Sequence, residues 1–289
     1  METDVEALVV GGAAAGLSAA LVLGRARVRT VVVDAGEPSN RSAPAIGGLL
    51  GQDGTSPAQL YAAGRAQLTE LPTVELREGV VTGIEPAGAF RATLAGGETI
   101  AAGRVLIAGG MHYDVPAVPG LAALWGDRAF MCPYCHGWEH RDQRIAILGA
   151  AGAAHRVALL RSWTSDLVVL ADGEPADDVG DVGVDERPVA SVAPGLVRFA
   201  DGGELEVDAL HVVAPMTPRD GLMAELGLET TDTPQGTGFA VADRFGATSV
   251  PHVFAAGDAT GAGNVAAAIA TGSLAATGLH RTLVAGISA

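Results

Sequence analysis

Ala7-Leu8-Val9-Val10-Gly11-Gly12-Ala13-Ala14-Ala15-Gly16 is an apolar run that ends in a glycine-bounded turn and passes into an Ala/Leu-rich stretch. A second apolar run, Val31-Val32-Val33, closes on Asp34, 23 residues after Gly11. Strand, glycine turn, helix, strand and terminal acid are the parts of a βαβ dinucleotide-binding unit. The same order returns at Arg144-Ile145-Ala146-Ile147-Leu148, then Gly149-Ala150-Ala151-Gly152, a helix, Leu167-Val168-Val169-Leu170 and Asp172, again 23 residues from the first glycine. Any tight strand–helix turn can mimic one such unit, but two copies 138 residues apart are far more selective. The expected fold class is therefore α/β, with two Rossmann-like three-layer nucleotide-binding domains.

The rest of the chain fits one domain nested in the other. Val80–Gly110 reads as short strands and turns, and Met111–Gly120, with two prolines, reads as a crossover. A strand-rich stretch follows the second unit, and another crossover is expected near Ala247–Pro251. Val253-Phe254-Ala255-Ala256-Gly257-Asp258 then leads to a helix from about Asn264 to Val284. This places the first domain at 1–114 and 247–289 and the second at 115–246.

The 289 residues are 48% hydrophobic and 18% charged, enough to bury a sizeable core. The net charge is −15, and all 18 basic residues are arginine. Without lysine, Schiff-base chemistry and a P-loop lysine are excluded. The acidic balance also argues against nucleic acid as a partner. The opening Met1-Glu2-Thr3-Asp4 is acidic and unlike a signal peptide, and no apolar stretch reaches bilayer length. A cytoplasmic protein with no membrane partner is expected.

Four motifs carry chemistry. The turn Gly11-Gly12-Ala13-Ala14-Ala15-Gly16 lets backbone approach a pyrophosphate at a helix N-terminus, and Asp34 would accept ribose hydroxyls. The strict fingerprint wants glycine where Ala13 stands. Cys132-Pro133-Tyr134-Cys135 is a redox pair or half a zinc site, and no second cysteine pair exists to complete the latter. No metal is expected. His136 and His140 follow within a helical turn or so, and disulfide exchange needs a base for the attacking thiol and an acid for the leaving sulfur. Either histidine fits that role, or neither if His136 is oriented away and the polar run Trp138-Glu139-His140-Arg141 is a solvated face. Gly257-Asp258 ends a strand where an acid can bind a ribityl hydroxyl, and Val265 and Ala266 can offer backbone N–H groups to a flavin.

In this order the motifs resemble the low-molecular-weight thioredoxin reductase family of FAD-linked disulfide oxidoreductases, over essentially the whole chain. The resemblance implies bound FAD, a thioredoxin reductase-like fold and a homodimer. It also implies that Cys135 faces the flavin and Cys132 exchanges with substrate. That family usually places an acid directly after the second cysteine, where this chain has His136. A second departure lies in the NAD(P)-type half. Ala151 replaces the middle glycine, and Asp172 to Glu186 holds seven acidic residues and no basic one. Such a loop repels a 2′-phosphate, which leaves NADH on Asp172 or no nicotinamide at all.

The sequence looks like the branch of flavin-dependent dithiol oxidases found in gliotoxin- and holomycin-type pathways of antibiotic biosynthesis. That resemblance implies oxidation of a small-molecule dithiol to an intramolecular disulfide, with O2 accepting the electrons. The alternative is NAD(P)H-dependent reduction of thioredoxin. A non-catalytic flavin-binding regulator is a third reading, disfavoured by the two cysteines.

Overall fold

Val5–Val10 has its last four residues buried, because strands flank it on both edges. Thr30–Asp34 pairs with it in parallel on one side and Thr99–Ile107 on the other. A strand enclosed in this way must be apolar on both faces, which is why Ala7-Leu8-Val9-Val10 runs without alternation. In the computed structural model, residues 3–87 and 89–284 are described. Met1 and Glu2 of the acidic opening lie outside them.

The chain divides by contacts into two units. Unit 1 comprises Met1–Arg41, Pro57–Tyr113 and Met216–Ala289. Its main sheet runs in the order Val74–Glu78, Thr30–Asp34, Val5–Val10, Thr99–Ile107, Phe90–Leu94, Val81–Pro86. Thr99–Ile107 serves two neighbourhoods: its first half pairs antiparallel with Phe90–Leu94, and its last three residues pair in parallel with Val253–Ala255. Helices Ala14–Arg25 and Val265–Leu283 cover one face together. They approach closely, since a Cβ on Gly272 would strike the Ala15 carbonyl, and Ser18 donates from Oγ to the Ile269 carbonyl at 2.7 Å. Leu17, Leu23, Val32, Leu106, Phe254 and Leu279 fill the core beneath.

Unit 2 comprises Ser42–Ser56 and Asp114–Pro215. The five strands of its main sheet, Gly183–Asp185, Leu167–Leu170, Ile145–Leu148, Ala209–His211 and Ala129–Phe130, are parallel throughout in that order. Alternate residues feed two cores. Ala146, Leu148, Val168 and Leu170 face one side, and Ile145, Ile147, Leu167 and Val169 the other, as a strand's two-residue period requires. A three-stranded antiparallel sheet, Val189–Ala193, Leu196–Phe199 and Glu204–Glu206, packs on the first of these cores. The α/β class with two nucleotide-type sheets is as expected from the repeated unit.

By contacts, residues 216–246, placed above with the second domain, group with unit 1. Strand pairing is the physical reason: Met216–Pro218 pairs antiparallel with Met111–Tyr113 and in parallel with Gly236–Ala240, which also pairs Thr230–Thr233. The stretch Ser42–Ser56, placed above with the first domain, groups with unit 2. Among the described residues no helix is long and apolar enough to cross a membrane.

Candidate active site

The dinucleotide-type turn of unit 1 needs its glycines. Gly11 holds φ +101°, and a Cβ there would strike the Ala108 carbonyl. On Gly12 a Cβ would stand 2.6 Å from the Cγ of Asp34, and on Gly16 it would meet the Gly11 carbonyl. Ala13 differs from the strict fingerprint without backbone penalty, because its φ −97° and ψ −156° are open to any L-residue. It caps helix Ala14–Arg25 with no side-chain hydrogen bond, so the first-turn N–H groups of Ala14, Ala15 and Gly16 are left for an anion.

Asp34 is held in place at the strand end. Its Oδ1 accepts from the Gly12 N–H at 3.3 Å and the Gly36 N–H at 3.1 Å. Its Oδ2 pairs with Arg65, which also donates to the Gly12 carbonyl. A ribose hydroxyl would share Oδ2 with that guanidinium.

Asp258 lies on the 3-10 turn Gly257–Thr260 and is partly buried. Its Oδ2 accepts from Tyr113 Oη at 3.1 Å and Ser39 Oγ at 3.5 Å. Burial raises its pKa, and the two hydroxyls and the nearby Arg219 oppose the rise. Burial and the Asp258 charge together push the Tyr113 phenol up. Beyond this turn, Asn264 Oδ1 accepts from the Ala267 N–H at 2.8 Å and the Asn264 carbonyl accepts from Ala268. That leaves the Val265 and Ala266 N–H groups without a partner among the described residues, at the positive end of a 19-residue helix. Cradle, acid and free amides thus fit a flavin dinucleotide.

In unit 2, Cys132 and Cys135 form a disulfide, with Cα atoms 5.3 Å apart. Strand Ala129–Phe130 delivers the chain to Cys132, which caps the single turn Pro133–His136. Pro133 sits at the first position, where its missing N–H is no loss and its fixed φ suits the helix. The Cys132 carbonyl accepts from the Cys135 N–H at 3.1 Å and the His136 N–H at 3.2 Å. A Cβ on Gly47 would strike the Cys135 carbonyl, so the segment Ser42–Ser56 closes directly on the motif. Tyr134 and Trp138 are exposed on either side of Cys135 and His136. Tyr134 stands edge-on to Trp163 at 5.5 Å, and Arg141 stacks over Trp138 at 4.1 Å.

Phe130 gathers three histidines. His136 and His140 stack on its ring at 5.9 and 5.3 Å between centroids, and His211 meets it edge-on at 5.7 Å. Their hydrogen bonding separates them. His140 is tied down, with Nδ1 3.0 Å from Gln143 Oε1 and Nε2 3.1 Å from the Asp127 carbonyl. Neither ring nitrogen of His136 has a well-formed hydrogen bond. Burial lowers the His136 pKa, and the backbone at Cys132 and the Glu139 charge only partly oppose this. Burial thus biases His136 towards the neutral imidazole, its buried ring nitrogens carrying no well-formed hydrogen bond, while His140 is a fixed strut beside it.

His211 is buried more deeply. Its Nε2–H donates to the Met131 carbonyl at 3.0 Å, and burial, with the charge of Arg156 adding to it, pushes its pKa down to about 4. A histidine that ionises near 6.5 when unfolded and near 4 when folded binds its proton more tightly in the unfolded chain. Its share of the stability is complete above pH 6.5 and is lost as the pH falls from there towards 4. Urea unfolding should show an acid-side loss of up to about 3 kcal/mol from this group, with a shallower slope in His211→Gln.

The residues assigned from sequence thus fall in two places. Gly11–Gly16, Asp34, Gly257, Asp258, Val265 and Ala266 belong to unit 1; Cys132, Cys135, His136 and His140 belong to unit 2. Arg65, Ser39, Tyr113, Arg219, Arg156 and His211 were not singled out by sequence, since none sits in a spaced motif. Among the described residues no three His, Cys, Asp or Glu side chains gather as a metal site would need.

The sequence matches the family described as pyridine nucleotide-disulphide oxidoreductase over residues 5–171 and 180–272. The chain belongs to this family. Its members bind FAD, and the chain is accordingly an FAD-type disulfide oxidoreductase of thioredoxin reductase-like fold. A relative named thioredoxin reductase tcpT, from Claviceps purpurea (strain 20.1), is 31% identical over 279 residues, covering 88% of this chain and 86% of the relative. An oxidoreductase of known structure from Agrobacterium tumefaciens is 34% identical, with a TM-score of 0.90 over 98% of this chain and 99% of its own. The structure of HlmI is likewise 34% identical with a TM-score of 0.90, over 96% of this chain and 92% of its own.

Proposed function

We propose that this oxidoreductase oxidises a small dithiol to its intramolecular disulfide, with the Cys132–Cys135 disulfide as immediate acceptor and O2 as final acceptor. The observation that carries this reading is the state of the second glycine turn's loop. The Asp172 carboxylate accepts from the Val189 N–H at 2.6 Å through Oδ1. Arg161 and Arg187, the arginines nearest the acidic loop, are already paired with Asp181 and with Asp185 and Asp201. Among the described residues the loop offers no spare cation to a 2′-phosphate.

His136 accepts a proton from a substrate thiol, for which its depressed pKa keeps it ready. The thiolate attacks Cys132 Sγ, breaking the bond to Cys135, whose sulfur leaves as thiolate. The second substrate thiol then attacks the substrate sulfur of the mixed disulfide, and Cys132 leaves. Substrate loses two electrons and two protons, and the cysteine pair gains two electrons. Gly11–Gly16, Asp34, Asp258 and the amides of Val265 and Ala266 would hold FAD, which would supply the two-electron acceptor for the reduced cysteine pair and the route to O2. Replacing His136 by Gln should lower kcat/KM about 100-fold near pH 7. The deficit should shrink as the pH rises towards the thiol pKa, where substrate ionises unaided.

A second reading, reduction of thioredoxin by a pyridine nucleotide, is favoured by the family description and the relative's name. Anaerobic mixing with NADPH, NADH and a dithiol, followed by flavin absorbance, separates the two. Bleaching by dithiol alone, reversed by air, is the expected result. Rapid bleaching by either nucleotide would establish the second reading instead.

A further inference from the structure

The C-terminal ends of three neighbouring parallel strands bring the second glycine turn and the redox motif side by side. Ala209–His211 lies between Ile145–Leu148, which leads into Gly149–Gly152, and Ala129–Phe130, which leads into Cys132. In register, His211 faces Ile147 on one side and Phe130 on the other. In doubly wound sheets this edge is where ligands bind. Here two buried side chains of the protein lie beside that edge. His211 donates to the Met131 carbonyl, one residue before Cys132. Arg156, also buried, reaches back under the glycine turn and donates to the carbonyls of Leu148 (2.8 Å), Gly149 and Ala151 (3.0 Å). A bare guanidinium in such a place is held only because three carbonyls surround it.

We propose that His211 and Arg156 are positioning residues for Cys132: Arg156 locks the Gly149–Gly152 turn, and His211, on the strand between, locks the backbone of Met131. Cys132 caps the turn through its carbonyl, which accepts from the Cys135 and His136 N–H groups, so the direction in which the chain leaves Met131 sets where the Cys132 sulfur stands. Cys135, inside the turn and packed against Gly47, meets that lock only through its N–H bond to the Cys132 carbonyl. This inference rests on the reading of Cys132 as the exchanging sulfur, but its consequence is chemical and independent of which substrate is oxidised.

The test is the alkylation of the reduced, FAD-loaded protein by iodoacetamide at pH 7, with the two cysteines quantified separately by peptide mass spectrometry. His211→Leu removes the donor to Met131 and should slow Cys132 about 10-fold relative to Cys135, as expected for a thiol displaced from its exposed position at the start of the turn. His211→Gln keeps an N–H donor and should hold the ratio within about three-fold of the parent. Arg156→Met should shift the ratio in the same direction as His211→Leu. An unchanged ratio in His211→Leu, or an equal shift in the Leu and Gln variants, would overturn the proposal. Should the apolar variants fail to fold, nitrogen-15 histidine spectra of the parent protein decide. His211 fixed as the neutral Nε2–H form from pH 7 to 5 supports the lock, and titration near 6.5 refutes it. Failure of the oxidase reading shows instead as absent dithiol turnover in the parent, with the alkylation ratios unaffected.

Discussion

Cys132→Ser and Cys135→Ser should each lower steady-state dithiol oxidation by at least about 10³-fold, because removing a covalent participant leaves only binding and general electrostatics behind. The two variants should fail differently. Cys135→Ser keeps Cys132 as a free thiol with no disulfide to attack, so a small disulfide reagent should trap a stable mixed disulfide at Cys132. Cys132→Ser retains Cys135, whose carbonyl is packed against Gly47 and whose N–H is bonded to the Cys132 carbonyl, and trapping there should be slower. Flavin content should match the parent in both, since the glycine cradle and Asp258 belong to unit 1 and the cysteines to unit 2. Turnover above a tenth of the parent in either variant would remove the cysteine pair from the mechanism.

Gly12→Val should yield folded protein with less than about a tenth of the parent's flavin. An added Cβ meets Asp34 Cγ at 2.6 Å, so either the carboxylate leaves the strand end or the turn opens. Both routes break the bond from the Gly12 N–H to Asp34 Oδ1 and disturb the ion pair with Arg65. Gly12 is itself not held at positive φ, so the substitution is a clash with the Asp34 side chain rather than a backbone impossibility. Absorbance at flavin wavelengths against protein absorbance checks the result, and circular dichroism confirms that the fold persists. Normal flavin content would mean that Asp34 does not orient the cofactor.

The sequence reveals those parts of the fold that backbone geometry dictates. Gly11 at φ +101°, Gly149 at φ +90° and the buried strands beside them leave their mark on composition, because other residues are sterically excluded or too polar. The cysteine pair is equally legible from its spacing. The partners are not. Tyr113 meets Asp258 across 145 residues, and Arg65 meets Asp34 across 31, with no periodic pattern to announce either contact. The return of Met216–Pro218 to pair with Met111–Tyr113 is hidden for the same reason: three-residue strands carry too little alternation to be read. The different surroundings of His136 and His140 are likewise hidden, since two histidines four residues apart differ only in what their nitrogens touch.

Residues Ser42–Ser56 lie between strand Thr30–Asp34 and helix Pro57–Leu68 in the chain, yet they close on Cys135 through Gly47. The redox turn is thus a composite of two stretches separated by the whole of Pro57–Tyr113. A fragment cut at the obvious joints, from Asp114 to Pro215, would carry both cysteines but lack this piece. Domain shuffling therefore could not move the disulfide chemistry to another protein as a single cassette; a transplant would have to bring two segments at once.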